Sequence, residues 1–132
     1  MKKIPKISEA EWQVMRLLWK KSPLTANDIV ETLTKETSWK RETIRTLINR
    51  LVGKKALDFK KQGRQYLYFP LVDESECIME ETRSFLDRVH GGSIEPMLAA
   101  FVESENISPQ EITRLKQILD GRGKQNEKEK SK

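Results

Sequence analysis

Trp39-Lys40-Arg41-Glu42-Thr43-Ile44-Arg45-Thr46-Leu47-Ile48-Asn49-Arg50-Leu51-Val52-Gly53-Lys54-Lys55 is the stretch on which the fold turns. Ile44, Leu47, Ile48, Leu51 and Val52 recur at the spacing of one helical face, the stripe of a helix docked on a core. The opposite face carries Glu42, Thr43, Thr46, Asn49, Arg50 and Gly53, with Arg45 and Lys54 on its flanks. Its middle is short-chained, so another surface can come close, and its edges are basic. Arginine makes bidentate bonds to guanine or to phosphate. Such a face suits the DNA major groove. Taken alone, it is also compatible with simple solvation.

The flanking sequence supplies a mounting for this helix. Upstream, Ser8-Glu9-Ala10-Glu11 forms a capping box, with Ile7 and Trp12 placed as a hydrophobic staple. A helix over about 9–20 follows, with Trp12, Met15, Leu18 and Trp19 inward, and Ser22-Pro23 breaks it. Thr25 caps a second helix carrying Ala26, Ile29, Val30 and Leu33. The start of the third helix is unmarked, since Lys40 and Arg41 are not capping residues. Downstream the period changes to two. Leu57–Lys60 and Gln65–Phe69 read as strands around a Lys61-Gln62-Gly63-Arg64 turn, and Pro70 stops the second. Three helices and a basic-tipped hairpin over residues 1–72 make a winged helix-turn-helix. In that arrangement Lys60, Lys61 and Arg64 suit phosphates, raising affinity with little sequence information.

The second half has another character. Residues 1–72 hold 16 Lys and Arg against 7 Asp and Glu, whereas residues 73–120 hold 4 against 11. The basic half is suited to a polyanion and the acidic half to something else. A helix from Asp73 to about His90 presents Ile78, Phe85, Leu86 and Val89, and Gly91-Gly92 ends it. A shorter helix around Pro96–Glu103 offers Leu98 and Phe101. Ser108-Pro109-Gln110-Glu111 caps a last helix with the stripe Ile112, Leu115, Ile118 and Leu119, and Gly121 is its expected end. About fifty residues are too few for a comfortable core. Pairing with a second copy would cover the apolar faces of Phe85, Leu86, Val89, Leu98, Phe101, Ile112, Leu115 and Leu119. The alternative is that these helices fold back on their own winged helix. The expected class is mainly α with a small β-hairpin wing: a winged helix over 1–72, an α-helical dimerisation region over 73–122 and a disordered tail over 123–132.

Several chemistries lack their residues. His90 is the only histidine and Cys77 the only cysteine, so neither a metal cluster nor a Cys/His catalytic pair can be assembled. Gly53, Gly63, Gly91 and Gly92 match no phosphate loop. No enzyme, cofactor or metal is expected. A lone cysteine and the absence of a signal-like opening point to the cytoplasm.

Ile7-Ser8-Glu9-Ala10-Glu11-Trp12-Gln13-Val14-Met15, Thr43-Ile44-Arg45-Thr46-Leu47-Ile48-Asn49-Arg50-Leu51 and Tyr66-Leu67-Tyr68 resemble the penicillinase-repressor family, BlaI/MecI/CopY. The similarity extends through Phe85, Gly91-Gly92, the Leu98–Val102 stretch and Ser108–Leu119, nearly the whole chain, and is strongest to the β-lactam-response branch. The resemblance implies a homodimeric repressor on an inverted-repeat operator of double-stranded DNA, shutting off resistance genes. It further implies a membrane sensor-protease that detects β-lactam, after which the repressor is cut in its dimerisation region. Thr43, Thr46 and Arg50 match the family's groove-reading positions. Two departures stand out. Lys40-Arg41-Glu42 replaces the Ser-Pro-Lys of many β-lactam-type members. Ala100-Phe101 replaces the asparagine–phenylalanine pair at which the family is cut. The paired cysteines of the copper-responsive branch are missing. Two rival readings remain: a regulator of the same family answering another signal, such as metal or efflux genes, and a winged-helix adaptor for RNA or protein.

Overall fold

The computed structural model describes residues 4–104 and 106–130. Six helices and three strands follow in the order α1 (Glu9–Lys20), β1 (Leu24–Thr25), α2 (Ala26–Glu36), α3 (Arg41–Gly53), β2 (Leu57–Gln62), β3 (Gln65–Pro70), α4 (Glu74–His90), α5 (Glu95–Glu103) and α6 (Pro109–Lys130). They form two compact units, Met1–Ser84 and Phe85–Lys132.

The first unit is a winged helix, and its elements start where local chemistry starts them. Both bonds of the Ser8/Glu11 capping box are made, at 3.2 and 2.8 Å. Thr25 opens α2 in the same way, with Asp28 completing a second box. At α3 the N-cap is Lys40, which makes no side-chain cap bond, as its chemistry predicts. Val14, Met15 and Leu18 from α1, Ile29, Val30 and Leu33 from α2, and Ile44, Leu47, Ile48 and Leu51 from α3 form one buried cluster. Trp12 and Trp19 are half-buried at its edge with rings 5.5 Å apart, and the Trp19 indole donates to the Val72 carbonyl at 3.0 Å.

The hairpin is tighter than expected. Gln62 pairs with Gln65, so the turn is only Gly63-Arg64, and the strands extend to Gln62 and Pro70. Gly63 has φ 65°, the left-handed value that a two-residue hairpin demands at its first central position. The sheet also holds a third strand that the sequence does not announce. Leu24 and Thr25 pair with Tyr68 and Leu67, giving the antiparallel order β1-β3-β2 and tying the wing to the start of α2.

The sequence opens the second region at residue 73, but the two units meet inside α4. Cys77, at 1% exposure, joins the core of the first unit and is the one buried residue of α4. Burial first, then Glu76 and Asp73, push its thiol up and make it a poor thiolate.

The second unit has no buried residue among those described. Leu86, Leu98, Ile112 and Leu115 are half-buried, whereas Phe85, Val89, Phe101, Ile118 and Leu119 are exposed. Gly91 and Gly92 end α4 at φ 64° and 90°, and the Gly92 amide donates to the Leu86 carbonyl at 2.9 Å, satisfying one carbonyl of the last turns. The Ser108/Glu111 box opens α6. The end of α6 differs from the expectation. The helix runs through Gly121 and Gly123 to Lys130, so the tail expected to be disordered is helical that far, and residues 131–132 lie outside those described. A glycine costs a helix only about 1 kcal/mol, and the Arg, Lys, Gln and Glu around these two are good helix formers.

Candidate nucleic-acid interface

The outward face of α3 is as the spacing predicts. Arg41, Glu42, Thr43, Arg45, Thr46, Asn49 and Arg50 are all exposed, while the apolar stripe behind them is sealed, with Ile44 and Leu51 at 0% exposure. The Thr46 hydroxyl donates back to the Glu42 carbonyl at 2.9 Å. Its proton is therefore occupied, which leaves the oxygen as an acceptor and the methyl for an outside contact.

The wing adds a second surface. Side chains alternate along a strand, so Lys60 and Lys61 lie on opposite faces of the hairpin. Lys61 stands across from Tyr66, and Lys60 across from Leu67. The Lys61 face also carries a strip of rings. Phe59 meets Tyr66 edge-on at 4.8 Å and Tyr68 at 5.7 Å, and both Phe59 and Tyr66 are exposed. Burial, with Tyr66 adding to it, raises the Tyr68 hydroxyl, and the Arg45 charge works against them. Arg45 of α3 is thus within electrostatic reach of this ring strip. Arg64 is exposed at the tip.

Lys54, expected on the flank of this face, is engaged within the chain. Its ammonium donates to Glu11 Oε1 at 2.5 Å and to the Lys6 carbonyl at 2.8 Å. Glu11 is 1% exposed, the one charged residue buried among those described. Burial alone would raise its carboxyl, but hydrogen bonds from Lys54 and Ser8, with the Lys54 charge, outweigh burial and hold it below the usual range. Glu11 marks itself in the sequence only as a capping residue. Its second role was hidden because its partner lies 43 positions away. The aromatic strip has no signal of its own in the sequence, because tyrosines and a phenylalanine in a strand are ordinary β formers.

Among the described residues, no cluster of His, Cys, Asp and Glu could hold a metal, and no helix is long and apolar enough to cross a membrane. The surface offers cations, hydroxyls and rings on a helix and a hairpin, groups for gripping and reading a polyanion.

Known proteins share this arrangement. A family profile described as penicillinase repressor matches residues 7–121. The penicillinase repressor of Bacillus licheniformis is 42% identical over 120 residues, covering 91% of this chain and 94% of that protein. The methicillin resistance regulatory protein MecI of Staphylococcus aureus is 39% identical over 114 residues, covering 86% and 93%. Among solved structures, monomeric Bacillus licheniformis BlaI in complex with the blaP half-operator is 45% identical, with a TM-score of 0.52, over 58% of this chain and 93% of that one. With the family's profile spanning both compact units and two relatives alike over most of their length, the chain belongs to the penicillinase repressor family.

Proposed function

We propose that the chain is a homodimeric transcriptional repressor that occupies an inverted-repeat operator, holding α3 in the major groove and the wing on the phosphates, and that it controls β-lactam resistance genes. The observation that carries this reading is the exposed Thr43/Thr46/Arg50 face on a sealed apolar stripe, in a chain 45% identical to a relative whose structure holds a half-operator. Arg50 reads a base edge, and Thr43 and Thr46 contact the groove. Arg45, Lys60, Lys61 and Arg64 neutralise phosphates. Repression is steric, by covering a promoter in the cytoplasm, and requires no catalysis.

The same reading gives the second unit to pairing. Its apolar side chains, half-buried or exposed within one chain, are those a second copy would cover. Release follows from cutting the Ala100–Phe101 bond by a protease answering the β-lactam signal, which separates α6 from the winged helix. That bond lies inside α5, so the protease must act on a locally opened helix.

Arg50→Ala and Arg64→Ala test the assignment together. Arg50→Ala should lower affinity for one operator base step by about 1–3 kcal/mol and leave shuffled DNA nearly unaffected. Arg64→Ala should weaken both duplexes and flatten the log–log salt slope by about one unit. Titrations at four salt concentrations read both. Uniform weakening by Arg50→Ala, or an unchanged slope for Arg64→Ala, would refute the corresponding role, and equal affinity for RNA of the same length would favour the adaptor reading.

A further inference from the structure

Glu11 does more than close its capping box. We infer that Glu11 and Lys54 form a pin fixing the axial register of α3 against α1, so that both are positioning residues for base reading and Lys54 is not a phosphate contact. The inference rests on the DNA-binding reading above. Glu11 Oε1 accepts from the Ser8 amide at 2.8 Å and from the Lys54 ammonium, which also donates to the Lys6 carbonyl. One oxygen thus ties the first turn of α1 to the residue that follows α3.

The need for such a tie can be read from α3 itself. Its N-terminal end has no side-chain cap. Its inner face is Ile44, Leu47, Ile48 and Leu51, whose packing sets the seat of the helix but adds no polar bond at either end. A hydrogen-bonded ion pair has direction. Fixing register is the best-attested use of a buried polar group, whereas its net stabilising effect is often near zero. The setting fits that use. The glutamate side chain is 2% exposed while the lysine side chain is 37% exposed, so the acid is fixed and the base comes to it. The Glu11 carboxyl, buried yet held below its usual range by these bonds, is a carboxylate at neutral pH. A displacement of about 1 Å in α3 is enough to spoil bidentate geometry at a base edge while salt-steered phosphate contacts adapt.

The test uses the full-length chain, the duplex it enriches from a random pool and a shuffled duplex of equal composition. Lys54→Met, Lys54→Arg and the paired Glu11→Leu with Lys54→Met are titrated against both duplexes over a range of salt. The paired variant replaces a buried ion pair with apolar side chains, an exchange that proteins often tolerate without loss of stability. Thermal melts establish that each variant is folded. Lys54→Met and the paired variant are expected to cut the ratio of enriched to shuffled affinity about tenfold, the lower end of one misread base step, with the salt slope unchanged. Lys54→Arg should restore most of the ratio. A slope flattened by about one unit with the ratio kept would make Lys54 a phosphate contact and overturn the pin. So would a folded paired variant that discriminates as the wild type does. A wild-type chain that enriches no duplex would overturn the DNA reading itself, a result distinct from either.

Discussion

Leu115→Ala combined with Leu119→Ala is expected to leave the chain monomeric at micromolar concentration and to cut its affinity for a full operator by about 10²–10⁴-fold. Leu119 is 61% exposed and Leu115 is half-buried within one chain, so their truncation costs the isolated protomer little. The loss falls on the second copy. Each leucine that a partner buries contributes about 1.5–3 kcal/mol, and two-fold symmetry counts every contact twice. A monomer then holds one half-site and forfeits the effective concentration that linkage supplies. Sedimentation velocity and operator titration on the double variant read the two effects. A variant that stays dimeric would move the interface elsewhere. One that becomes monomeric yet binds the operator at full strength would break the link between pairing and repression.

Leu51→Ala should lower stability by about 2–5 kcal/mol, the cost of a cavity in a packed core. Leu51 is 0% exposed, and its carbonyl accepts the Ala56 amide at 2.9 Å as the chain turns from α3 towards the wing. For a domain stabilised by about 5–15 kcal/mol this is a large fraction, and the melting temperature should fall by about 8 °C or more. Asn49→Ala, on the exposed face of the same helix, should stay within about 0.5 kcal/mol. A calorimetric melt of the two variants separates the faces. Equal melting of Leu51→Ala and wild type would contradict the buried stripe.

The winged helix was legible because its signals are local. Helical periods lie within α1, α2 and α3, the Ser8/Glu11 box needs only three residues of separation, and Gly63 sits where a hairpin requires a positive φ. What was hidden is long-range or very short. Leu24-Thr25 is too brief to show a period, and its partners Tyr68 and Leu67 lie in another element. Lys54 reads as one more flanking cation because nothing near it in sequence points to Glu11. Cys77 looks like the start of an acidic helix, yet packing makes it part of the winged-helix core. Gly121 looks like a terminus because glycine ends many helices, but a helix of strong formers absorbs it. The exposed face of α3 is legible as the complement of its apolar stripe: once Ile44, Leu47, Ile48 and Leu51 are inward, Thr43, Thr46 and Arg50 can only be outward.

Enrichment of duplexes from a random pool by the full-length chain, followed by sequencing, tests the central claim most directly. A symmetric pair of α3 helices predicts an inverted repeat whose half-site centres lie about 10–10.5 base pairs apart, or a multiple of that, and predicts that Arg50→Ala relaxes the same position in both halves. Enrichment of no sequence, or of a single asymmetric site indifferent to Arg50→Ala, would contradict it.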